Sequence, residues 1–410
     1  MKKTFLIVVC VVGSRTFWGQ ISTQQIGGQT INPITTAVPF LMISPDSKQG
    51  AMGDVGAATD PDVNSNFWNG SKLAFAEKKF GAGFTVTPWL RQLVPDINLY
   101  YISGYARMND KQVIGASLRY FSLGNIELTN SQGVKTSDYK PNEFSVDLSF
   151  AQKLSKHFSI GVAGRYINSG ISKVFFNGSS GNSASTVAAD LTMFYKSDRF
   201  KLGDKKAIFT SGLAITNVGA KIKYSNDENF IPTNLRLGAG LKTLIDDYNT
   251  FSVYLDFNKL LVPTPPVYKY QTDSLGNPTT QIAIDPSTGE KEIAKGKNPN
   301  VDVATGILQS FHDAPGGAKE ELQEIQISSG MEYMYNNIFA IRAGYFHESK
   351  TKGDRQYITV GMGVRYSVIN IDGSYLIPTT LNNPLQKTWR ISLSFEFDGV
   401  KKQKEPPVEP

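Results

Sequence analysis

The alternation that decides the fold is clearest in residues 389–397, which read WRISLSFEF. Every second residue is apolar, and the residues between them are arginine, serine or glutamate. The same alternation recurs in residues 144–150 and 187–196. Because successive side chains of a strand point to opposite faces, this pattern predicts strands with one apolar and one polar face.

The same period-two pattern recurs along most of the chain. We predict fourteen strands, at residues 80–89, 97–108, 111–124, 142–154, 157–172, 185–197, 206–218, 234–244, 249–258, 324–335, 338–348, 355–367, 369–376 and 388–398. Many reach the roughly 9–11 residues that a tilted membrane strand needs. An even number of such strands is typical of bacterial outer-membrane barrels. The sequence therefore predicts an all-β fold, a 14-stranded antiparallel transmembrane β-barrel.

The connections between these strands sort by length. Short connections fall at 109–110, 155–156, 198–205, 245–248, 336–337 and 367–368. The alternate connections are mostly longer, at 91–96, 125–141, 173–184, 219–233, 259–323, 349–354 and 377–387. Short periplasmic turns and long extracellular loops are the asymmetry of outer-membrane barrels, whereas a soluble sandwich has no reason to sort its loops in this way.

The polar face of the strands carries balanced charge, which predicts paired charges in a packed or narrow lumen. The twelve charged residues are Arg119, Arg165, Arg236, Arg342, Arg365, Arg390, Asp147, Asp190, Asp256, Asp372, Glu332 and Glu396. Tyrosines near strand ends are expected to form aromatic girdles at the two membrane interfaces. They are Tyr101, Tyr120, Tyr166, Tyr195, Tyr333, Tyr335, Tyr366 and Tyr375.

The two ends of the chain differ from the barrel. Residues 1–20 combine lysines with a short apolar run and predict a signal peptide. Residues 21–79 predict an irregular segment with short helices, a plug on the periplasmic side that packs against the larger body. Ser44-Pro45 and Asp60-Pro61 are expected to open two of its helices. Barrel residues 80–398 precede a charged, proline-rich tail at 399–410, which we expect to be a disordered periplasmic extension.

Composition excludes several classes of function. One cysteine among 410 residues rules out a disulfide framework and cysteine-based metal sites. No basic cluster with interleaved aromatic residues indicates a nucleic-acid partner. The Gly-x-Gly motifs fall within strands rather than at the start of a helix, so they do not indicate a nucleotide site. We therefore expect no enzyme, no catalytic residues, no metal site and no cofactor.

The connection 259–323 is the strongest candidate for a functional site. It is far longer than most structureless loops, and it opens with apolar and aromatic residues stiffened by prolines. Such a segment either forms an exposed binding surface or folds over the barrel mouth as a plug, and both readings stay open. If it binds a partner, the candidate residues are Leu261, Val262, Pro263, Pro265, Val267, Tyr268 and Tyr270.

The segment before the first strand resembles the N-terminal signature of the PorV family. The matching stretches are NPITTAVPFL at 32–41, SPDS at 44–47, GAMGDVG at 50–56, DPD at 60–62 and FWN at 67–69. Within them the signature residues are Pro39, Phe40, Pro45, Asp46, Gly53, Asp54, Trp68 and Asn69. Gly70-Ser71 departs from the proline and alanine usual in the family at this point.

The resemblance implies a non-enzymatic outer-membrane barrel of the Bacteroidetes type IX secretion system, within the FadL-like superfamily. It implies that the protein binds the C-terminal signal domain of exported cargo at the giant translocon barrel. Delivery would then be to the surface attachment complex that contains PorU, with outer-membrane lipids around the barrel. Two alternatives remain: a FadL-type transporter of hydrophobic small molecules, with an apolar pocket under residues 32–79 and a gap in the wall, and a passive porin.

Overall fold

The computed structural model describes residues 31–130, 132–171, 183–224, 228–273, 278–380 and 383–398. The predicted signal peptide at 1–20 and the predicted tail at 399–410 lie outside the described residues. Within the described ranges, no helix has both the length and the apolarity needed to cross a membrane.

Fourteen strands form the wall of a barrel, and we label them β1 to β14 in chain order. Their bounds are β1 Phe80–Pro88, β2 Asn98–Arg107, β3 Gln112–Ser122, β4 Asn142–Lys153, β5 Phe158–Ser169, β6 Ala184–Lys196, β7 Lys205–Gly219, β8 Asn234–Leu244, β9 Asn249–Leu260, β10 Gln326–Tyr335, β11 Phe339–His347, β12 Gln356–Tyr366, β13 Ile369–Pro378 and β14 Trp389–Phe397. All fourteen predicted strands are confirmed. Most of their ends lie within two residues of the predicted ones.

Each wall strand pairs antiparallel with the next, and β14 pairs with β1 to close the ring. At this seam Phe80 lies opposite Phe397, and their rings stack with centroids 5.6 Å apart. A closed ring leaves no backbone edge with unpaired N–H and C=O groups, which is the condition for placing a sheet in lipid.

The two ends of the barrel differ in the way that the sequence predicts. We call the end with the long connections the outer mouth and the end with the short turns the inner mouth. The long connections contain further short strands, and one short strand, Phe200–Leu202, pairs with the start of β7 at the inner mouth. The other short strands are Ile126–Thr129, Lys135–Tyr139, Ile222–Lys223, Glu228–Asn229, Val267–Tyr268, Tyr270–Thr272, Pro278–Ile282 and Ile293–Lys295.

The outward face of the wall is apolar, as a lipid-facing surface requires. Leu148, Val187 and Met362 are examples of large apolar side chains that lie exposed there. Seven of the eight tyrosines predicted for the girdles are also exposed. The prediction is wrong for Tyr101, which lies between Thr85 and Arg119 in the strand register and is buried in the lumen. Its place in the alternation, rather than its position near a strand end, determines the face it occupies.

Residues 31–79, which we call the plug, thread the lumen from one mouth to the other. At the outer mouth the Asn32 amide donates to the Thr351 carbonyl, and the Ala37 amide donates to the Phe230 carbonyl. At the inner mouth the Ala76 carbonyl accepts from Arg107, the last residue of β2. The sequence placed this whole segment on the inner side, and that is wrong for its first residues.

The plug has little regular structure of its own. It contains helices α1 Ser47–Gly50 and α2 Ser65–Trp68, with 3₁₀ turns at Pro39–Met42 and Gly70–Phe75. The predicted helix start at Ser44 is wrong, because Asp46 caps α1 by accepting from the Gln49 amide at 2.9 Å. Asp60-Pro61 opens no helix either, since α2 begins four residues later. These short elements are held by contacts with the wall rather than by their own hydrogen bonds.

Candidate functional site

The lumen wall carries the paired charges that the sequence predicts. Arg342 bonds Glu332 and Asp372, each at 2.6 Å. Arg165 bonds both Asp147 and Asp190 across neighbouring strands. All of these side chains are buried except Asp372, which is partly exposed, and mutual neutralisation offsets their desolvation. Arg365 differs from the prediction, since its side chain is exposed at the inner mouth, donates to the Asn370 side-chain oxygen at 2.8 Å and forms no ion pair among the described residues.

Wall side chains also bind the plug backbone directly. The Asp256 carboxylate accepts from the Gly56 and Ala57 amides at 2.7 and 2.9 Å. Arg119 donates to the Leu41 carbonyl at 3.0 Å from another part of the wall. These bonds satisfy backbone groups that would otherwise be buried without partners. The plug is therefore bonded to several sides of the ring.

The signature residues of the plug lie at its contacts. Asp46 accepts from Trp68 Nε1 at 2.7 Å, and Trp68 lies against the Arg236 guanidinium. Asp54 accepts from the Tyr357 hydroxyl at 2.5 Å. Asn69 donates to the Met193 carbonyl at 2.9 Å and accepts from the Ser71 amide at 3.2 Å. The bond to Ser71 holds the start of the second 3₁₀ turn, at the point where the sequence departs from the signature that it resembles.

Glycines in the wall let the plug backbone approach closely. A Cβ at Gly344 would lie 2.1 Å from the backbone nitrogen of Gly53. A Cβ at Gly212 would lie 2.0 Å from the carbonyl oxygen of Ala57. Gly238, an inward glycine of a Gly-x-Gly motif in β8, also faces Ala57 of the plug. The plug backbone therefore packs against wall positions that carry no side chain.

The outer third of the lumen is filled with apolar side chains. Phe40 and Leu41 of the plug pack in a buried cluster with wall residues near the outer mouth, and Phe40 stacks with Phe121 at 6.2 Å between ring centroids. Leu99 and Ile167 belong to the same cluster and are fully buried. A FadL-type transporter would need an open apolar pocket under residues 32–79, and this space is occupied by the protein's own side chains.

A network of buried charges closes the outer mouth. The mouth network consists of Lys259 at the end of β9, Lys352 in the β11–β12 loop, and Glu320, Glu321 and Glu324 of the long connection. Glu324 is central to it, because its carboxylate bonds Lys259 at 2.5 Å, Lys352 at 3.0 Å and the Thr264 hydroxyl at 2.6 Å. Three separate parts of the barrel are thereby joined.

The plug reaches the same network at its first described residues. Asn32 Nδ2 donates to Glu320 Oε1 and to the Pro265 carbonyl, each at 3.0 Å. Sequence reasoning missed this network, since its members are scattered over nearly a hundred residues. The available signal was a run of acidic residues, Glu320, Glu321 and Glu324, beside strand-end lysines on the side of the long loops.

The long connection is more ordered than the sequence predicted. It contains α3 Val303–Gln309 and α4 Ala318–Gln323 besides its short strands. α4 ends three residues before β10 begins at Gln326. The expectation of about 65 structureless residues is wrong, because the connection packs on the mouth and on itself.

The predicted binding residues divide by exposure. Leu261, Val262 and Pro263 are buried, so they do not belong to an exposed surface, which is one of the two readings that the sequence leaves open. Pro265, Val267 and Tyr268 are half-buried, and Tyr270 is exposed. Pro263 packs near Gly306 of α3, which explains why apolar residues at this position need no external partner. The start of the connection therefore fits the reading in which it folds over the mouth.

The exposed part of the connection presents a different set of apolar residues. Leu308, Phe311 and Leu322, which we call the apolar face, are 70%, 50% and 70% exposed. Leu308 and Leu322 lie on α3 and α4, and the Phe311 ring lies 5.9 Å from the Lys259 ammonium of the mouth network. Sequence reasoning did not single out these three residues. Large apolar residues on a surface loop that is held rigidly from below are typical of a protein-binding surface.

Among the described residues of the outer mouth, His347 and Glu348 are not arranged as an acid–base pair. His347 ends β11 and Glu348 follows it directly, but the Glu348 carboxylate bonds Arg355 at 2.7 Å and Gln326 at 2.8 Å. The His347 ring lies beside Tyr345 instead. Among the described residues, no three histidine, cysteine or acidic side chains are grouped so that they could hold a metal ion.

Comparison with known proteins gave one family match and several structural neighbours. A family model described as Type IX secretion system protein PorV matches residues 26–267. No curated protein matches the chain. The matched range includes the whole described plug and the first nine wall strands, so it spans more than half of the chain.

Three of the solved structures that resemble the chain are transporters or transporter homologues of Ralstonia and Pseudomonas. The toluene transporter TbuX of Ralstonia pickettii is 12% identical, with a TM-score of 0.45, over 86% of this chain and 98% of that one. The Pseudomonas putida toluene transporter TodX is 13% identical, with a TM-score of 0.46, over 88% and 100%. A FadL homologue of Pseudomonas aeruginosa is 10% identical, with a TM-score of 0.43, over 90% and 100%.

Proposed function

Because this chain belongs to the PorV family of type IX secretion system proteins, outer-membrane components of that system, we propose that it binds the C-terminal signal domain of exported cargo. Binding takes place at the outer mouth, as cargo leaves the giant translocon barrel. The protein then delivers the cargo to the surface attachment complex that contains PorU. It acts without catalysis, as an adaptor between proteins.

One observation carries this proposal: the plug fills the lumen from the outer mouth to the inner mouth. Asn32 is bonded at one end and Ala76 at the other, and Asp256 holds the middle. A protein whose lumen is occupied by its own chain offers its rim, rather than a channel, to other molecules. That geometry supports a docking role over a porin.

The apolar face supplies the docking surface. It lies on the side of the long loops, which is the extracellular side in outer-membrane barrels. The mouth network fixes α4 from below through Glu320 and Glu321, so these side chains are presented without a large ordering cost on binding. Exposed leucine and phenylalanine on a rigid support favour contact with another protein that has apolar residues of its own.

The transporter alternative receives less support from the lumen. Its apolar pocket would lie where Phe40 and Leu41 are buried against Phe121 and Ile167. A hydrophobic molecule could enter only by displacing those side chains from a packed cluster. The same purified protein distinguishes the two functions, because a transporter would retain a hydrophobic molecule and an adaptor would retain cargo.

A binding measurement with matched variants tests the proposal. The triple variant Leu308→Gln, Phe311→Gln, Leu322→Gln removes the apolar face and leaves the mouth network in place. The control variant Leu93→Gln, Val134→Gln removes similarly exposed apolar residues from two other outer loops. Purified full-length protein in detergent is tested for binding to a purified cargo C-terminal signal domain.

We expect the triple variant to bind the signal domain at least about tenfold more weakly than the unmodified protein, a loss of about 1.4 kcal/mol. The control variant should bind as the unmodified protein does. If the unmodified protein does not bind the domain, the proposed function is wrong. If it binds and the triple variant binds equally well, the cargo uses another surface.

A further inference from the structure

A second candidate site lies at the opposite end of the barrel, away from the surface that the proposed function uses. A cavity of about 300 Å³ opens at the inner mouth, between the end of the plug and the ends of three wall strands. We call it the basic pocket. It is lined by Ala74, Phe75, Ala76, Arg107, Lys153, Lys156, His157, Lys196, Ser197 and Asp198.

The positions of the cations follow from strand ends. Arg107, Lys153 and Lys196 are the last residues of β2, β4 and β6, and each of these strands ends at the inner mouth. In the alternation all three occupy inward positions, so their side chains converge beneath the plug rather than pointing into lipid. Lys156 joins them from the turn before β5.

Positive charge in this pocket is largely uncompensated. Four of the lining residues are lysine or arginine, and Asp198 is the single carboxylate among them. Asp198 bonds Lys156 at 2.8 Å and lies 3.4 Å from His157 Nε2. Among the described residues, Arg107, Lys153 and Lys196 have no ion-pair partner.

The polar contacts of the cations leave donors available. Arg107 Nη1 donates to the Ala76 carbonyl at 2.5 Å, which fixes the guanidinium at one side of the pocket. The Lys153 ammonium lies 4.5 Å from the centre of the Phe75 ring, a contact that holds it without neutralising it. Like charges held close together in a concave site raise the local potential and attract an anion.

We propose that the basic pocket binds the phosphate group of a phosphate ester from the periplasmic side. A phosphate presents several acceptor oxygens and up to two negative charges, which suits convergent lysine and arginine donors. The cavity is larger than a bare ion requires and is comparable to the smallest ligand pockets, about 300 Å³. Ala74 and Phe75 give it an apolar wall for the remainder of such a ligand.

Two sources could supply the same chemistry, a soluble phosphate ester and the headgroup of an inner-leaflet phospholipid. The probe is sn-glycerol 3-phosphate, with glycerol as the uncharged control. Binding is measured by calorimetry on the full-length protein in detergent and in nanodiscs of phosphatidylglycerol. The variant Lys153→Gln, Lys196→Gln removes two pocket cations, and Lys205→Gln, Lys206→Gln removes two exposed cations from the same mouth outside the pocket.

We expect glycerol 3-phosphate, and not glycerol, to bind the unmodified protein and the Lys205/Lys206 control alike. The pocket variant should bind at least about tenfold more weakly. Binding in detergent that disappears in the nanodiscs assigns the phosphate to a lipid headgroup, and binding that persists assigns it to a soluble ester. Each result supports a phosphate site.

The proposal is overturned if the unmodified protein does not bind glycerol 3-phosphate, or if the pocket variant binds it as tightly as the unmodified protein. Unheated electrophoresis, in which a folded barrel migrates faster than the unfolded chain, shows that each variant is folded. The pocket variant should capture the cargo signal domain normally. Failure of this site and failure of the proposed function are therefore separate results.

Discussion

The carboxylate of Asp46 accepts a hydrogen bond of 2.7 Å from the indole Nε1 of Trp68, and both residues are fully buried. They lie 22 residues apart in the plug. The second carboxylate oxygen of Asp46 accepts from the Gln49 amide, so both oxygens face donors. One side chain thus joins α1 to the end of α2, and this bond ties together two parts of a segment with little regular structure.

The first prediction concerns this bond. Asp46→Asn replaces one of the two accepting oxygens with an NH₂ group, which faces either the Gln49 amide or the Trp68 indole N–H. That buried donor is then without a partner, at a cost of about 1–3 kcal/mol. We expect more frequent channel openings in planar lipid bilayers, because the plug is released more easily. Asp110→Asn, at an exposed inner turn, should behave as the unmodified protein does. Equal currents for the two variants would contradict the structural role of Asp46.

The second prediction concerns the close approach of the plug to the wall. Gly344→Ala adds a Cβ that would lie 2.1 Å from the backbone of the plug, so the plug or the strand must move at a cost of about 1–3 kcal/mol. The expected result is increased conductance with a correctly folded barrel. Gly373→Ala on β13 is the matched control, because its Cβ would meet no atom within 4 Å. If Gly344→Ala leaves the conductance unchanged, the plug does not pack against this glycine.

The third prediction concerns the mouth network. Glu324→Gln removes the carboxylate that Lys259 and Lys352 share, and loss of one partner from a buried ion pair costs about 3–5 kcal/mol. The long connection should then be cleaved faster by trypsin at its lysines, while the barrel stays intact. Glu292→Gln, which removes an exposed pair with Lys269 in the same connection, should change cleavage little. Equal cleavage rates in the two variants would show that Glu324 does not hold the long connection on the outer mouth.

The fourth prediction concerns pH. Lys72 is fully buried in the plug, where its ammonium donates to the Gly56 carbonyl at 2.7 Å and the Thr59 hydroxyl at 2.8 Å. Burial lowers the pKa of Lys72 from 10.5 to about 8. The released plug therefore binds more protons than the inserted plug above pH 8, and insertion becomes more favourable as the pH rises.

The free energy of plug insertion is obtained from the urea concentration that opens half of the channels. It should become more favourable by up to about 2 kcal/mol between about pH 8 and about pH 9.5. Lys72→Met has no titratable group at this position and should show a flat profile over the same range. A profile that falls with pH in the unmodified protein, or one that Lys72→Met leaves unchanged, would exclude Lys72 as its cause.

The wall could be predicted from the sequence because each of its residues faces either lipid or the lumen. This constraint gives the strands their alternation of apolar and polar residues. For β8 the alternation predicts the bounds that the structure has, Asn234–Leu244. The prediction that Tyr101 belongs to a girdle is wrong, because closeness to a strand end does not determine which face of the sheet a residue occupies. Its face is determined by register with Arg119, which only the paired strands reveal.

The plug and the mouth were harder to predict because their contacts join distant parts of the chain. Nothing local in Asn32 indicates its bond to Glu320, which lies 288 residues later. For Leu261 and Val262 the sequence leaves open an exposed surface or a fold over the mouth, and only the packed connection shows that they are covered. The apolar residues that do remain exposed, Leu308 among them, are single positions on short helices without a period to identify them.

Site-specific photo-crosslinking in the native host shows whether the apolar face contacts cargo during secretion. A photoreactive amino acid is placed at Leu308 on the apolar face, and at Leu154, an exposed residue of the inner mouth, as the control. Light should join Leu308 to the C-terminal signal domain of exported cargo, identified by mass spectrometry, and Leu154 should give no such product. Cargo joined to Leu154 and not to the apolar face, or no cargo joined to either position while secretion continues, would contradict the account.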